Sequence, residues 1–141
     1  MHHRLPAQPT IADVAEVLRE AGLRPTRQRV ALAHLLFAAG DRHVTAEALH
    51  EEALAHKVPV SRATVYNTLH QFAAAGLLRE VEGAKAYFDT NTSNHYHFFC
   101  EHSGELMDIA TESIRIEGLP EAPEGTTISR VEVLVRLVDK R

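Results

Sequence analysis

A helix marked at both ends and followed at once by extended chain constrains this sequence more than any other feature. It occupies residues 60–79. Ser61 is placed to cap the start, since its hydroxyl can accept from a free N–H of the first turn. Val65, Leu69, Phe72 and Ala73 recur at helical spacing and predict one stripe turned to a core. Gly76 sits where a left-handed residue ends a helix. The opposite face carries Ala63, Asn67, His70 and Ala74, with Tyr66 and Thr64 at its edges. It has no carboxylate and one aromatic ring. Such a face suits entry into the major groove of DNA, but for a helix taken alone plain solvent is the commoner explanation, so the neighbouring segments decide.

Upstream, three further helices are expected over residues 10–22, 27–39 and 45–56. Thr10, Thr26 and Thr45 lead them, and Thr10 and Asp13 stand at capping-box spacing. After Gly76 the pattern turns extended: residues 77–82 and 84–89 read as a β-hairpin about Gly83. Helices followed by a hairpin make a winged helix-turn-helix, placed at residues 1–89, with a polar linker at 90–94. Residues 95–141 read as a small α/β domain. Strands are expected at 96–100 and 105–109 about the turn 101–104. Residues 113–117 are open between strand and short helix. The alternation of Ile128, Val131, Val133, Val135 and Leu137 predicts one long strand over 126–138. The fold class is therefore α+β. So small a second unit is thin alone, and a partner subunit is the usual cover for such a strand edge.

Charge separates the halves. Residues 1–80 hold nine Lys/Arg against eight Asp/Glu, and residues 81–141 hold six against eleven, within a net charge of −4. Only the first half is suited to phosphate, through local arginines. One cysteine rules out an internal disulfide framework and fits a reducing cytoplasm. No apolar run is long enough to cross a membrane, and the first residues lack the apolar core of a signal peptide, so a cytoplasmic location is expected. Ten histidines direct attention to metal chemistry. His95 and His97, two apart on a predicted strand, point to the same side, as chelation requires.

Four motifs in order then carry a resemblance: Ala21-Gly22-Leu23-Arg24-Pro25-Thr26-Arg27-Gln28-Arg29, His43-Val44-Thr45-Ala46-Glu47, Ala63-Thr64-Val65-Tyr66-Asn67-Thr68-Leu69 and His95-Tyr96-His97. Across nearly its whole length the chain resembles the ferric uptake regulator family. Within that family it looks most like the iron response regulator branch of alphaproteobacteria, through residues 24–29, Lys57-Val58-Pro59-Val60-Ser61 and Pro123-Glu124-Gly125. The resemblance implies a homodimer that binds operator DNA. It also implies a regulatory divalent metal, Fe, Mn or Zn, between the two domains. Matched position by position, its ligands are His43, Asp89, His95, His97 and Asp108, a donor set that suits those ions. Haem is a second ligand to weigh, since the branch's haem-linked histidine run corresponds to His95, Tyr96 and His97. The branch's Gly-Cys-Pro haem element is missing, and the paired Cys-x-x-Cys motifs of many relatives are reduced to Cys100 with Ser103, so no four-sulfur structural zinc is expected. Cys100 itself reads as a small buried hydrophobe.

The DNA contacts that follow are Arg24, Arg27 and Arg29 for phosphate or the minor groove, with Ser61, Thr64, Tyr66 and Asn67 toward base edges. Two other readings compete. A metallohydrolase built on the His-x-His would need further His/Asp ligands, which do not follow closely here, and there is no phosphate loop or nucleophile elbow. A winged-helix module indifferent to metal is the third. The regulator reading makes the protein no enzyme.

Overall fold

The computed structural model describes residues 5–84 and 86–140. Lys85, in the expected second wing strand, and residues 1–4, at the start searched for a signal peptide, lie outside the described residues, as does Arg141. The chain divides into two compact units, one ending at Thr92 and the other beginning at Ser93.

The first unit runs α1 (Ile11–Glu20), α2 (Arg27–Phe37), β1 (His43–Val44), α3 (Ala46–Ala55), α4 (Arg62–Ala74), β2 (Arg79–Glu80) and β3 (Phe88–Asp89). Each helix starts where a hydroxyl can take over a free N–H. Thr10 and Asp13 exchange both bonds of a capping box, at 3.1 and 2.9 Å. Thr26, Thr45 and Ser61 accept from Arg29, Ala48 and Thr64. The helices and the strand sheet enclose one core of Val14, Leu18, Leu32, Leu36, Leu49, Val65, Leu69, Phe72 and Phe88, each essentially buried. Truncating any one large member to alanine costs about 2–5 kcal/mol.

The sheet of this unit is ordered β1-β3-β2, all antiparallel. The third helix begins after its Thr45 cap as expected, but His43 and Val44, given no strand in the sequence reading, pair with Phe88 and Asp89: Val44 with Phe88 and His43 with Asp89. The wing strands are also much shorter than expected, two residues each. Val81 and Ala84 turn into the interior instead, and Gly83 takes the left-handed bend at φ 81°.

The second unit is a sheet ordered β5-β4-β6, with β4 (Tyr96–Cys100), β5 (Leu106–Ile109) and β6 (Leu134–Leu137). β4 pairs antiparallel with β5 and parallel with β6. Residues 113–117 resolve as the end of a 3-10 turn, Thr111–Ser113, and then extended chain outside the sheet. The long strand expected over 126–138 shortens to Leu134–Leu137. The reason is the ladder: β4 begins at Tyr96, opposite the stretch that starts at Val133, so the preceding residues have no strand beside them. Ile128 is half exposed accordingly.

Candidate functional site

The first unit sets two candidate ligands face to face through strand register. β1 and β3 set His43 directly opposite Asp89, and His43 Nε2 lies 3.3 Å from Asp89 Oδ2. Asp89 is only 2% exposed. Its other oxygen accepts from the Asn91 N–H at 2.9 Å, which fixes the carboxylate plane. The two strands are locked just beyond this pair. Thr90 Oγ1 accepts from the Arg42 N–H at 2.8 Å, and the Thr90 N–H and hydroxyl both donate to the Arg42 carbonyl, at 3.1 and 3.2 Å.

In the second unit the same logic yields a second set. His97 stands opposite Asp108 across β4 and β5. Asp108 Oδ1 lies 3.3 Å from His95 Nε2 and 3.5 Å from His97 Nε2, and the two rings sit 4.6 Å apart. The carbonyl of Ser93 can only accept, so the contact with His95 at 2.8 Å makes Nδ1 the donor. With Nδ1 committed to that carbonyl, Nε2 is the ring nitrogen left to face Asp108 and the one that could ligate a metal. Both imidazoles are largely buried while the carboxylate is half exposed, which leaves the set reachable. Tyr96, one residue along β4, belongs to the opposite face of the strand from His97.

The face of α4 is as small and uncharged as its sequence suggests. Ser61, Tyr66 and Asn67 are exposed, and Thr64 is half-buried with its hydroxyl accepting from Ser61 at 2.9 Å. His70 departs from the expectation. It does not face solvent freely but is half-buried, its ring against Tyr66 on one side and Phe88 on the other. Arg24 and Arg27 are exposed. Arg29 is partly committed to the fold: it donates to the Arg24 carbonyl and to Gln71 Oε1, both at 3.0 Å, and so ties the turn before α2 to α4.

Cys100 is not the buried hydrophobe expected. It is half-buried, and the Ser103 hydroxyl, with the N–H groups of Ser103 and His102, holds its thiol below the usual range, against opposing contributions from burial and Asp139.

Arg42, Glu52, Thr90 and Asn91, which brace the first ligand pair, carried no signal in the sequence. Arg42 meets Glu52 and Thr90 across 10 and 48 residues of chain, and Asn91, two residues from its partner Asp89, itself lies in a segment that reads only as linker.

Comparison with known proteins agrees with this architecture. The sequence profile of the ferric uptake regulator family matches residues 20–135. A peroxide-responsive repressor, PerR, of Staphylococcus epidermidis is 40% identical over 94 residues, which is 64% of this chain and 61% of the relative, so the match spans about three fifths of that protein. The structure of the ferric uptake regulator from Pseudomonas aeruginosa with manganese superimposes with a TM-score of 0.68 at 25% identity, over 91% of this chain and 98% of that one. The Vibrio cholerae ferric uptake regulator shares the fold with the same TM-score at 20% identity, over 89% and 98%. With the profile covering most of the sequence, the chain belongs to the ferric uptake regulator family.

Proposed function

We propose that this protein is a metal-responsive transcriptional regulator that binds operator DNA as a homodimer in the cytoplasm. A divalent ion, Mn, Fe or Zn, held jointly by His43, Asp89, His95, His97 and Asp108 sets its DNA affinity. The observation that carries the reading is the preparation of the donors within each unit. His43 stands opposite a buried carboxylate. His95 and His97 turn their Nε2 atoms to one carboxylate oxygen. Three imidazoles and two carboxylates are a donor set for these ions. The Pseudomonas aeruginosa relative was solved with manganese. An ion shared by both sets would fix the angle between the units, and with it the reach of two recognition helices into successive major grooves about 34 Å apart. It acts only if it binds the DNA-competent arrangement more tightly than the other.

Arg24, Arg27 and Arg29 take phosphate in this reading, and Ser61, Thr64, Tyr66 and Asn67 address base edges. The second unit carries a groove of roughly 460 Å³ lined by Phe98, Ile109, Ile114 and Val135 together with Asp108 and Ser113, and its apolar part is the surface for the second copy. The finer role is control of iron and haem supply, of the iron response regulator type. Membership in a family of regulators favours this over the hydrolase. A second reading, response to peroxide, is favoured by the name of the Staphylococcus epidermidis relative.

Titrating Mn(II), Fe(II), Zn(II) and haem into an operator gel shift, with His43→Ala and His97→Ala alongside, tests the proposal. One of the ions changes affinity by at least about tenfold, ~1.4 kcal/mol, and both variants lose the change. Affinity indifferent to every ligand overturns sensing. Hydrogen peroxide added to the ion-loaded protein separates the second reading, which requires release of DNA.

A further inference from the structure

We infer that His70 is a positioning residue that orients Tyr66 for reading base pairs, so that it governs sequence discrimination without itself being a base contact. The inference rests on the DNA-binding reading above. Tyr66 and His70 are four residues apart on α4 and so share one face. Their rings meet edge to face, with centroids 4.4 Å apart at 65°. On its far side His70 meets Phe88 at 5.2 Å and 86°. Phe88 is fully buried, and its backbone is pinned by Val44 on one side and Glu80 on the other. The three rings therefore run from a fully buried core residue to a tip that is 47% exposed.

Edge-to-face contacts between aromatic rings are directional. Tyr66 on a bare helix would sample its rotamers and lose that freedom on binding. Held by His70, it meets DNA already oriented, which favours the one base-pair edge its ring fits. Phosphate contacts by the arginines do not pass through this stack. Losing the ring at position 70 should thus weaken the preferred sequence and leave general DNA affinity in place.

The test uses the full chain loaded with Mn(II). A randomised duplex pool yields the preferred sequence, and discrimination is the ratio of Kd for a scrambled duplex to Kd for the preferred one. His70→Ala lowers that ratio by about tenfold, the discrimination of one good base contact, while scrambled-duplex affinity stays constant. His70→Phe, which keeps an aromatic ring, retains the ratio. In a Tyr66→Ala background, His70→Ala costs nothing more. An unchanged ratio in His70→Ala, or an equal loss with and without Tyr66, overturns the inference. If His70→Ala fails to fold, His70→Gln takes its place with the same loss expected. A wild-type protein that enriches no sequence either with Mn(II) or after its removal by EDTA overturns the DNA-binding reading, and this inference with it, before any variant is compared.

Discussion

The guanidinium of Arg42 and the carboxylate of Glu52 meet side by side, two nitrogens to two oxygens, across ten residues of chain. The pair joins the residue before His43 to α3, which packs on α4. Arg42 Nη1 also reaches the Leu35 carbonyl at 3.3 Å, and the Arg42 backbone is clasped by Thr90. One residue thus ties the strand that carries His43 to α2, to α3 and to the residue that follows β3. Replacing Glu52 by Gln leaves the guanidinium without its charge partner. Because both side chains keep some contact with water, the cost is modest, about 1–2 kcal/mol, read from the urea midpoint.

That cost depends on pH with a definite sign. The hydrogen bond from Arg42 is the main cause holding the Glu52 carboxyl below its ordinary value of 4.5, partly opposed by burial. A lowered carboxyl favours the folded state above the unfolded-state value and loses its contribution as pH falls through the folded one. The stability gap between wild type and Glu52→Gln is therefore constant from pH 8 to about 6 and closes progressively below about 4.5. A gap that persists unchanged at pH 3 would show that the pair acts through packing instead of charge.

An ion held by both ligand sets stabilises whatever state binds it. At free Mn(II) about 100-fold above Kd, the stability of unfolding rises by about 2.7 kcal/mol, and chelation with EDTA reverses the gain. His43→Ala and His97→Ala each remove most of it, because either change leaves fewer donors than these ions prefer. If His97→Ala abolishes the gain and His43→Ala leaves it whole, the ion belongs to the second unit alone.

What the sequence disclosed follows physical range. The caps at Thr10, Thr26, Thr45 and Ser61 were legible because a hydroxyl meets an N–H only three residues away. The buried stripe of Val65, Leu69 and Phe72 was legible from periodicity. β1 was not, since two residues carry no period and His43 pairs with a partner far along the chain. The long strand failed for two reasons: Ile128 lies three residues before Val131 and is out of phase with it, and although Val131 and Val133 do alternate with Val135 and Leu137, alternation specifies faces and cannot supply the neighbour that completes a ladder. His95 and His97 were expected to share a side because strand period is local, whereas the contact of His95 Nδ1 with the Ser93 carbonyl depends on how the chain turns before β4, which no period encodes.

Arg27 is exposed at the first position of α2, without the structural duties of Arg29. If it contacts phosphate, its removal weakens binding to all duplexes alike. The slope of log Kd against log salt then falls by about one for each copy of the residue in the complex. Arg27→Ala with an unchanged slope and unchanged affinity would remove it from the interface.

Lys57 offers a stability prediction independent of function. It follows the last turn of α3 with φ 58°, the one non-glycine among the described residues with positive φ. Its N–H donates to the Leu54 carbonyl at 3.0 Å and the Val58 N–H to Ala53 at 2.8 Å, so the left-handed turn is fixed by the chain on both sides. After α4 the corresponding position is Gly76, with φ 82° and its own N–H bonded to Ala73. A side chain in that region costs roughly 1–2 kcal/mol, of which glycine's extra unfolded-state freedom recovers only a part. Lys57→Gly should raise stability by about 0.5–1 kcal/mol, seen as a higher urea midpoint with the same m-value. A lower midpoint would mean that the lysine stem contributes more through packing than its backbone costs in strain.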